Sequence, residues 1–291
     1  MKKIVILGCE NSHADAFLDC IATKPEFSHM EVIGIYSNEP AAAQKLHDRF
    51  GVPIMASYDE AVGKVDGVVI TARHGGNHYP YAKPYIDSGV PMFIDKPITI
   101  DEDEAVEFMY TLKEKGVKVT GGSSLRHAFG VRQVKLAGEC QNGGPTVGGI
   151  VRAPLHCDNP YGGFFFYAQH LVEMVLEAFG RNPQAVQVST DTKGNRTVLF
   201  HYEDFTVTGL YTEGSNEYYA ARFALNGSQG GYIPTQGKEW YHAEFSAFSD
   251  LLNGGEMELS YEELIAPVFV MNAIDRASAS GQVEAVCYGE V

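Results

Sequence analysis

The sequence predicts an α/β protein in two parts, a doubly wound parallel sheet over residues 1–121 and an α+β domain over residues 122–291. Three observations carry this prediction. Over the first part, short apolar runs alternate with helix-like stretches, the pattern of parallel strands covered by helices on both faces. After about residue 122, strand runs follow one another across polar turns such as "DTKGN", "YED", "TEGSN" and "LNGSQG", so they read as antiparallel. The helices there are set apart from the strands, as in an α+β domain.

The strands expected in the first part are Ile4–Leu7, Glu31–Tyr36, Gly67–Thr71, Met92–Ile94 and Val117–Thr120. Between them Ala14–Thr23, Pro40–Phe50, Tyr58–Val62, Tyr79–Ser88 and Asp101–Lys115 read as helical. "TIDEDEAVEF" opens the last of these with an N-cap at Thr99 or Asp101 and acids in the first turn, where the helix dipole favours them. In the second part, one helix at about Phe165–Phe179 carries the apolar stripe Leu171, Val172, Val175, Leu176 and Phe179. Strands are expected at Ala185–Thr190, Arg196–Tyr202, Phe205–Tyr211 and Tyr218–Leu225. Helices at about Glu239–Leu252 and Tyr261–Ser280 follow.

Composition narrows the function. A formal charge of −15 argues against a nucleic-acid partner, because phosphate binding needs a basic surface. No apolar run reaches the length of a membrane span, and "MKKIVILG" runs into Gly8 without the cleavage site of a signal peptide. The five cysteines are odd in number and free of CxxC spacing, which points to a reducing cytoplasm. No metal is expected: His156, Cys157 and Asp158 are adjacent but lack a spaced second pair of ligands.

Doubly wound sheets bind ligands at the carboxyl ends of their strands, so the loops there hold the candidate residues. After the first strand comes "GCENSHADAF". Gly8 permits a tight turn, and Asn11 or Ser12 can cap the next helix, whose N-terminal amides suit a phosphate. Glu10 and His13 stand where a full dinucleotide fingerprint has further glycines. The second strand ends in the neutral Ser37 and Asn38, with Glu39 just beyond, which leaves NAD against NADP open. Thr71 ends the third strand, and the loop after it brings Arg73, His74 and His78, read equally well as pocket lining or as a solvated loop. In "FIDKPIT", Lys96 leaves a buried strand beside Asp95, with Pro97 fixing the backbone, a setting that turns a lysine toward a cleft.

These residues resemble the Gfo/Idh/MocA family of oxidoreductases (glucose–fructose oxidoreductase, inositol dehydrogenase), as a divergent member. "DKP" stands in the place of the family's Glu-Lys-Pro, and "SSLRHAF", with Arg126 retained, in the place of its Asn-x-Arg-Phe. "GGFFFYAQHLVEMV" matches its histidine helix, and His13-Ala14 its His-Ala after the glycine loop. The resemblance implies a Rossmann domain and an α+β domain with an open, mainly antiparallel sheet through which homodimers or homotetramers form. It also implies NAD or NADP as cofactor and a sugar, polyol or related small molecule as substrate. Lys96 would contact the substrate hydroxyl, Pro97 the nicotinamide region, and His170 would act as general base.

Two departures are visible. The family's helix aspartate falls on Phe166 or Tyr167, so Tyr167 and Asp158 are candidate helpers in proton transfer, while Glu173 reads best as a solvated helix residue. The opening loop is about three residues shorter than the family's. These departures keep two alternatives open: a degenerate member that binds a ligand or partner without hydride transfer, and a lyase or epimerase that cycles its cofactor.

Overall fold

Ile4 to Leu7 are fully buried, so Lys2–Leu7 (β1) is covered on both faces, as an inner strand of a parallel sheet must be. The computed structural model describes residues 1–235 and 239–291. It divides into two compact units. One holds Met1–Gly122, Tyr241–Leu264 and Val291, and the other Ser123–Trp240 and Ile265–Glu290.

In the first unit, β1 is followed by α1 (Ser12–Thr23), β2 (Met30–Tyr36), α2 (Pro40–Phe50), β3 (Gly67–Ile70) and α3 (His78–Ala82). Then come β4 (Met92–Asp95), α4 (Glu102–Glu114) and β5 (Val119–Gly122). The strands are parallel in the order β2-β1-β3-β4-β5. Because β2 lies on one side of β1 and β3 on the other, the topological switch point falls between β1 and β3. Its core is aromatic: Phe17 stacks on Phe245 at 4.6 Å and meets Phe93 edge-on at 5.0 Å, with Phe27, Phe248 and Leu252 in the same cluster.

Two expected helices differ. Tyr58–Val62 forms successive turns in place of a helix, with Glu60 N bonded to Ser57 O and Val62 N to Asp59 O, bonds of three-residue span where an α-helix has four. The helix expected over Tyr79–Ser88 stops at Ala82 and continues as 3₁₀ turns, because Pro84 has no N–H to donate and crowds the preceding turn. Asp101 is the cap of α4, accepting from Glu104 N at 2.8 Å, while Thr99 bonds the Glu104 side chain.

The second unit contains α5 (Phe129–Glu139), β6 (Thr146–Leu155), α6 (Phe165–Phe179), β7 (Ala185–Thr190), β8 (Arg196–His201) and β9 (Thr206–Glu213). After β10 (Tyr218–Ala224) and β11 (Gly227–Ile233), the chain runs through α7 (Glu239–Leu252), α8 (Tyr261–Ser280) and β12 (Glu284–Ala285). The sheet order is β11-β10-β6-β9-β8-β7-β12, antiparallel except for the β6–β9 pair. The open, mainly antiparallel sheet is therefore present, with α5, β6, β11 and β12 in addition to the expected elements. At Gly149 of β6 a Cβ would stand 2.3 Å from the Phe179 ring, so α6 packs directly against this strand. Arg222 on β10 is 1% exposed and donates to Thr146 Oγ1, Gln229 Oε1 and the carbonyls of Asn142 and Gly144, a buried cation satisfied by neutral oxygens.

Candidate functional site

Three loops meet at the carboxyl ends of β2, β1 and β3. Gly8 has φ +78°, and a Cβ there would lie 2.4 Å from the Ala72 backbone, so only glycine allows the β1 and β3 exits to approach this closely. Thr71 closes the contact, donating from its N to Leu7 O at 2.8 Å and from Oγ1 to Gly8 O at 3.0 Å. Glu10, 8% exposed, accepts from Ser37 Oγ at 2.7 Å and from Arg73 N at 3.0 Å. Asn38 faces solvent.

A second cluster surrounds the end of β4. Asp95 is fully buried and accepts from Asn11 Nδ2 at 2.7 Å and from Lys96 N at 2.6 Å, with His13 Nδ1 2.8 Å away. Burial raises the Asp95 pKa, but His13, Lys96 and His78 outweigh it and hold the carboxyl below its ordinary range. Asn11 occupies the N-cap position of α1 yet makes no capping bond, since its side chain is drawn to Asp95; Ser12 is exposed. The His13 ring meets Tyr241 edge-on at 4.6 Å. Lys96 is 3% exposed and joined to Pro97 by a cis peptide. Burial pushes its ammonium pKa down, and Asp95 and the buried Glu244 counter the shift in part.

His78 is fully buried. Its Nε2 lies 2.8 Å from Ala72 O and its Nδ1 3.2 Å from Ile98 O, and burial keeps the ring pKa low, so it ties the loops after β3 and β4 together. His74 accepts from Gly76 N at 3.1 Å across a 3₁₀ turn. That loop is therefore braced by its own histidines, with His78 buried and Arg73 and His74 half-buried.

In the second unit His170 is 7% exposed on α6, and its Nδ1 lies 2.7 Å from Ser123 Oγ. Ser123 is fully buried, and its Oγ accepts from Leu125 N. One turn before His170, where the sequence lacks an acid, the Tyr167 ring meets the imidazole edge-on at 5.0 Å and His156 at 4.7 Å. Burial raises the Tyr167 phenol pKa. Phe166 packs against Tyr161. Asp158 is exposed and makes no hydrogen bond or ion pair among the described residues. Arg126 is buried in the turn after Ser123.

The solvated reading of Glu173 is overturned. At 1% exposure it accepts from Gln169 Nε2 at 3.1 Å and from Arg181 Nη2 at 2.6 Å, because α6 is enclosed almost all round and an acid there needs a partner. Sequence reasoning gave no role to Ser123, Glu244 or Arg181. Ser123 was findable, as a polar residue leaving a strand's carboxyl end, whereas Glu244 and Arg181 carry no local signal. Among the described residues no group of His, Cys, Asp and Glu is arranged to hold a metal, and no helix is long and apolar enough to cross a membrane.

A parallel sheet with polar groups gathered at its strand exits, followed by a mainly antiparallel sheet, defines the class of nucleotide-binding proteins with a Rossmann domain and an appended α+β domain. Residues 2–123 match the profile of the Gfo/Idh/MocA oxidoreductases, described as an oxidoreductase family with an NAD-binding Rossmann fold. The second unit follows the same architecture in solved structures. GenD2 from gentamicin A biosynthesis, in complex with NAD, is 18% identical with a TM-score of 0.83 over 98% of this chain and 96% of its own. Scyllo-inositol dehydrogenase from Lactobacillus casei, with bound NAD(H) and scyllo-inositol, is 17% identical with a TM-score of 0.83 over 98% of this chain and 99% of its own. Myo-inositol dehydrogenase from Corynebacterium glutamicum is 16% identical with a TM-score of 0.82 over 99% of this chain and 100% of its own. At these identities the likeness establishes the shared fold. No curated protein matches the sequence significantly.

Proposed function

We propose that the chain is an NAD(P)-dependent oxidoreductase acting on a hydroxyl of a polyol, sugar or related small molecule. The observation that carries the reading is Lys96: an ammonium at 3% exposure, with its pKa pushed down, at the carboxyl end of an inner parallel strand. Burying an ammonium is destabilising, and this position is where such sheets bind their ligands.

The β1 exit fits a dinucleotide. Gly8 keeps the backbone close, the first turn of α1 is free of side-chain capping, and Glu10 bonds Ser37 and Arg73 N but none of the α1 amides. When bound, NAD or NADP supplies the hydride acceptor. Lys96 donates to the substrate oxygen and favours the alkoxide that develops there. With Nδ1–H hydrogen-bonded to Ser123 Oγ, His170 would keep Nε2 as the acceptor of the hydroxyl proton. The Tyr167 ring, in the place of an acid, sets the orientation of the imidazole by edge contact. Scyllo-inositol in the Lactobacillus casei enzyme supports a polyol as the substrate class. Tyr219 and Phe223 of β10 and Tyr232 of β11 are exposed on the second sheet, with Tyr219 opposite Tyr232, a surface suited to pairing with a second copy. Five free cysteines suit a reducing compartment such as the cytoplasm.

The test is calorimetric titration with NAD, NADH, NADP and NADPH, followed by a polyol and sugar panel read at the reduced-nicotinamide absorbance. Lys96→Ala and His170→Ala should each abolish turnover and leave cofactor affinity nearly unchanged. Failure to bind any of the four nucleotides refutes the proposal, and undiminished turnover in either variant removes that residue from the mechanism.

A further inference from the structure

NAD sites in doubly wound sheets usually carry an acid at the end of the second strand, which accepts from the adenosine ribose 2′-hydroxyl. In this chain β2 ends at Tyr36, and the next residues are Ser37 and Asn38. A carboxylate reaches that position from elsewhere. Glu10, on the turn after β1, sets Oε2 2.7 Å from Ser37 Oγ and Oε1 3.0 Å from Arg73 N, so it spans the exits of β2 and β3 across β1. Ser37 Oγ accepts from Glu39 N at 3.0 Å, which commits its one hydroxyl proton to Glu10.

The carboxylate is under-supplied with donors. Glu10 is 8% exposed, its two hydrogen bonds come from neutral groups, and no cation stands within ion-pair distance of it among the described residues. A carboxylate has roughly four acceptor positions, so about half of them are unfilled in a setting where water cannot easily fill them. A ribose diol brings two O–H donors. A 2′-phosphate replaces the 2′-hydroxyl donor with a group of roughly −1.5 to −2 charge at neutral pH.

We infer that Glu10 is the ribose-reading acid of this chain, supplied by the first turn in place of the second strand, and that it selects NAD over NADP. The inference rests on the oxidoreductase reading above and refines its cofactor.

Calorimetric titration of the full chain with NAD, NADP and 2′-deoxy-NAD tests it without any need for turnover. A hydrogen bond to a charged acceptor corresponds to roughly a ten- to hundred-fold change in affinity. NAD should therefore bind at least tenfold more tightly than either 2′-deoxy-NAD or NADP. Glu10→Gln should bring NAD and 2′-deoxy-NAD to nearly equal affinity and narrow the gap between NAD and NADP by about tenfold. Glu10→Asp keeps the charge but withdraws it by a methylene, and should likewise lose the preference for NAD over 2′-deoxy-NAD. Equal binding of NAD and 2′-deoxy-NAD by the unaltered chain, NADP binding as tightly as NAD, or tighter NAD binding by Glu10→Gln would each overturn this inference alone. Absence of all dinucleotide binding would instead overturn the oxidoreductase reading.

Discussion

Lowering the pH from 7 to 5 should weaken the fold by about 2 kcal/mol through one side chain, His127. The ring is 5% exposed and accepts from Arg132 Nη2 at 2.7 Å on Nδ1. Burial, together with the charges of Arg126 and Arg132, pushes its pKa from 6.5 down to about 2. In the unfolded chain the same ring titrates near its ordinary value of about 6.5. The folded pKa is the lower of the two, so the unfolded state binds more protons between these values and stability falls as pH falls through the window. With the folded ring neutral throughout, protonation of the unfolded ring between pH 7 and 5 amounts to about 2 kcal/mol. His78, also buried with a lowered pKa, contributes in the same direction, and Asp95 titrates below the window. The variant His127→Gln keeps an acceptor for Arg132 and removes the titration. Urea unfolding of both proteins at pH 7, 6 and 5 should show the original chain losing about 2 kcal/mol more than the variant across the range. An identical loss in both would mean that His127 titrates alike in the folded and unfolded states, and the reasoning would fail.

Gly8→Ala should lower stability by about 3 kcal/mol, since it combines left-handed backbone strain with overlap on Ala72; a melting temperature within a degree or two of the original would contradict this close approach. Glu173→Ala removes the nearer of the two carboxylates against the nearly buried Arg181 guanidinium and should cost about 3 kcal/mol in chemical denaturation. A loss below about 1 kcal/mol would show that solvent or Glu177, which shares α6 with Glu173 and lies 3.7 Å from Arg181, takes over the charge.

How far the sequence reveals the molecule depends on how local each cause is. β1 and β4 are legible because burial on both faces demands uninterrupted apolar residues. β6 escapes because Gly148, Gly149 and Pro154 interrupt the pattern, and those glycines answer to the Phe179 ring and to backbone geometry that local sequence does not display. β11 reads as a polar turn because it is an edge strand with serine, glutamine and glycines where an inner strand would be apolar. At the site, Lys96 announces itself through its Asp-Lys-Pro setting. The partners of Glu10 lie 27 and 63 residues away, and that of His170 lies 47 residues away, so their roles become visible only in the fold. Glu173 misleads for a similar reason, because its partner Arg181 lies beyond the end of the helix.

The first unit borrows part of its interior from Tyr241–Leu264. Phe245, Phe248 and Leu252 fill the cluster that contains Phe17, Phe27 and Phe93, and they are synthesised only after strands β6 to β11. On the ribosome, the N-terminal sheet must therefore wait for most of the chain before it can shed water from its aromatic face. A fragment ending at Gly122 would carry every strand of that sheet and still lack its filling. Dissecting this protein for assay at the apparent boundary would yield a sticky, incomplete half, whereas a fusion that returned the Tyr241–Leu264 segment to the fragment would restore a foldable piece.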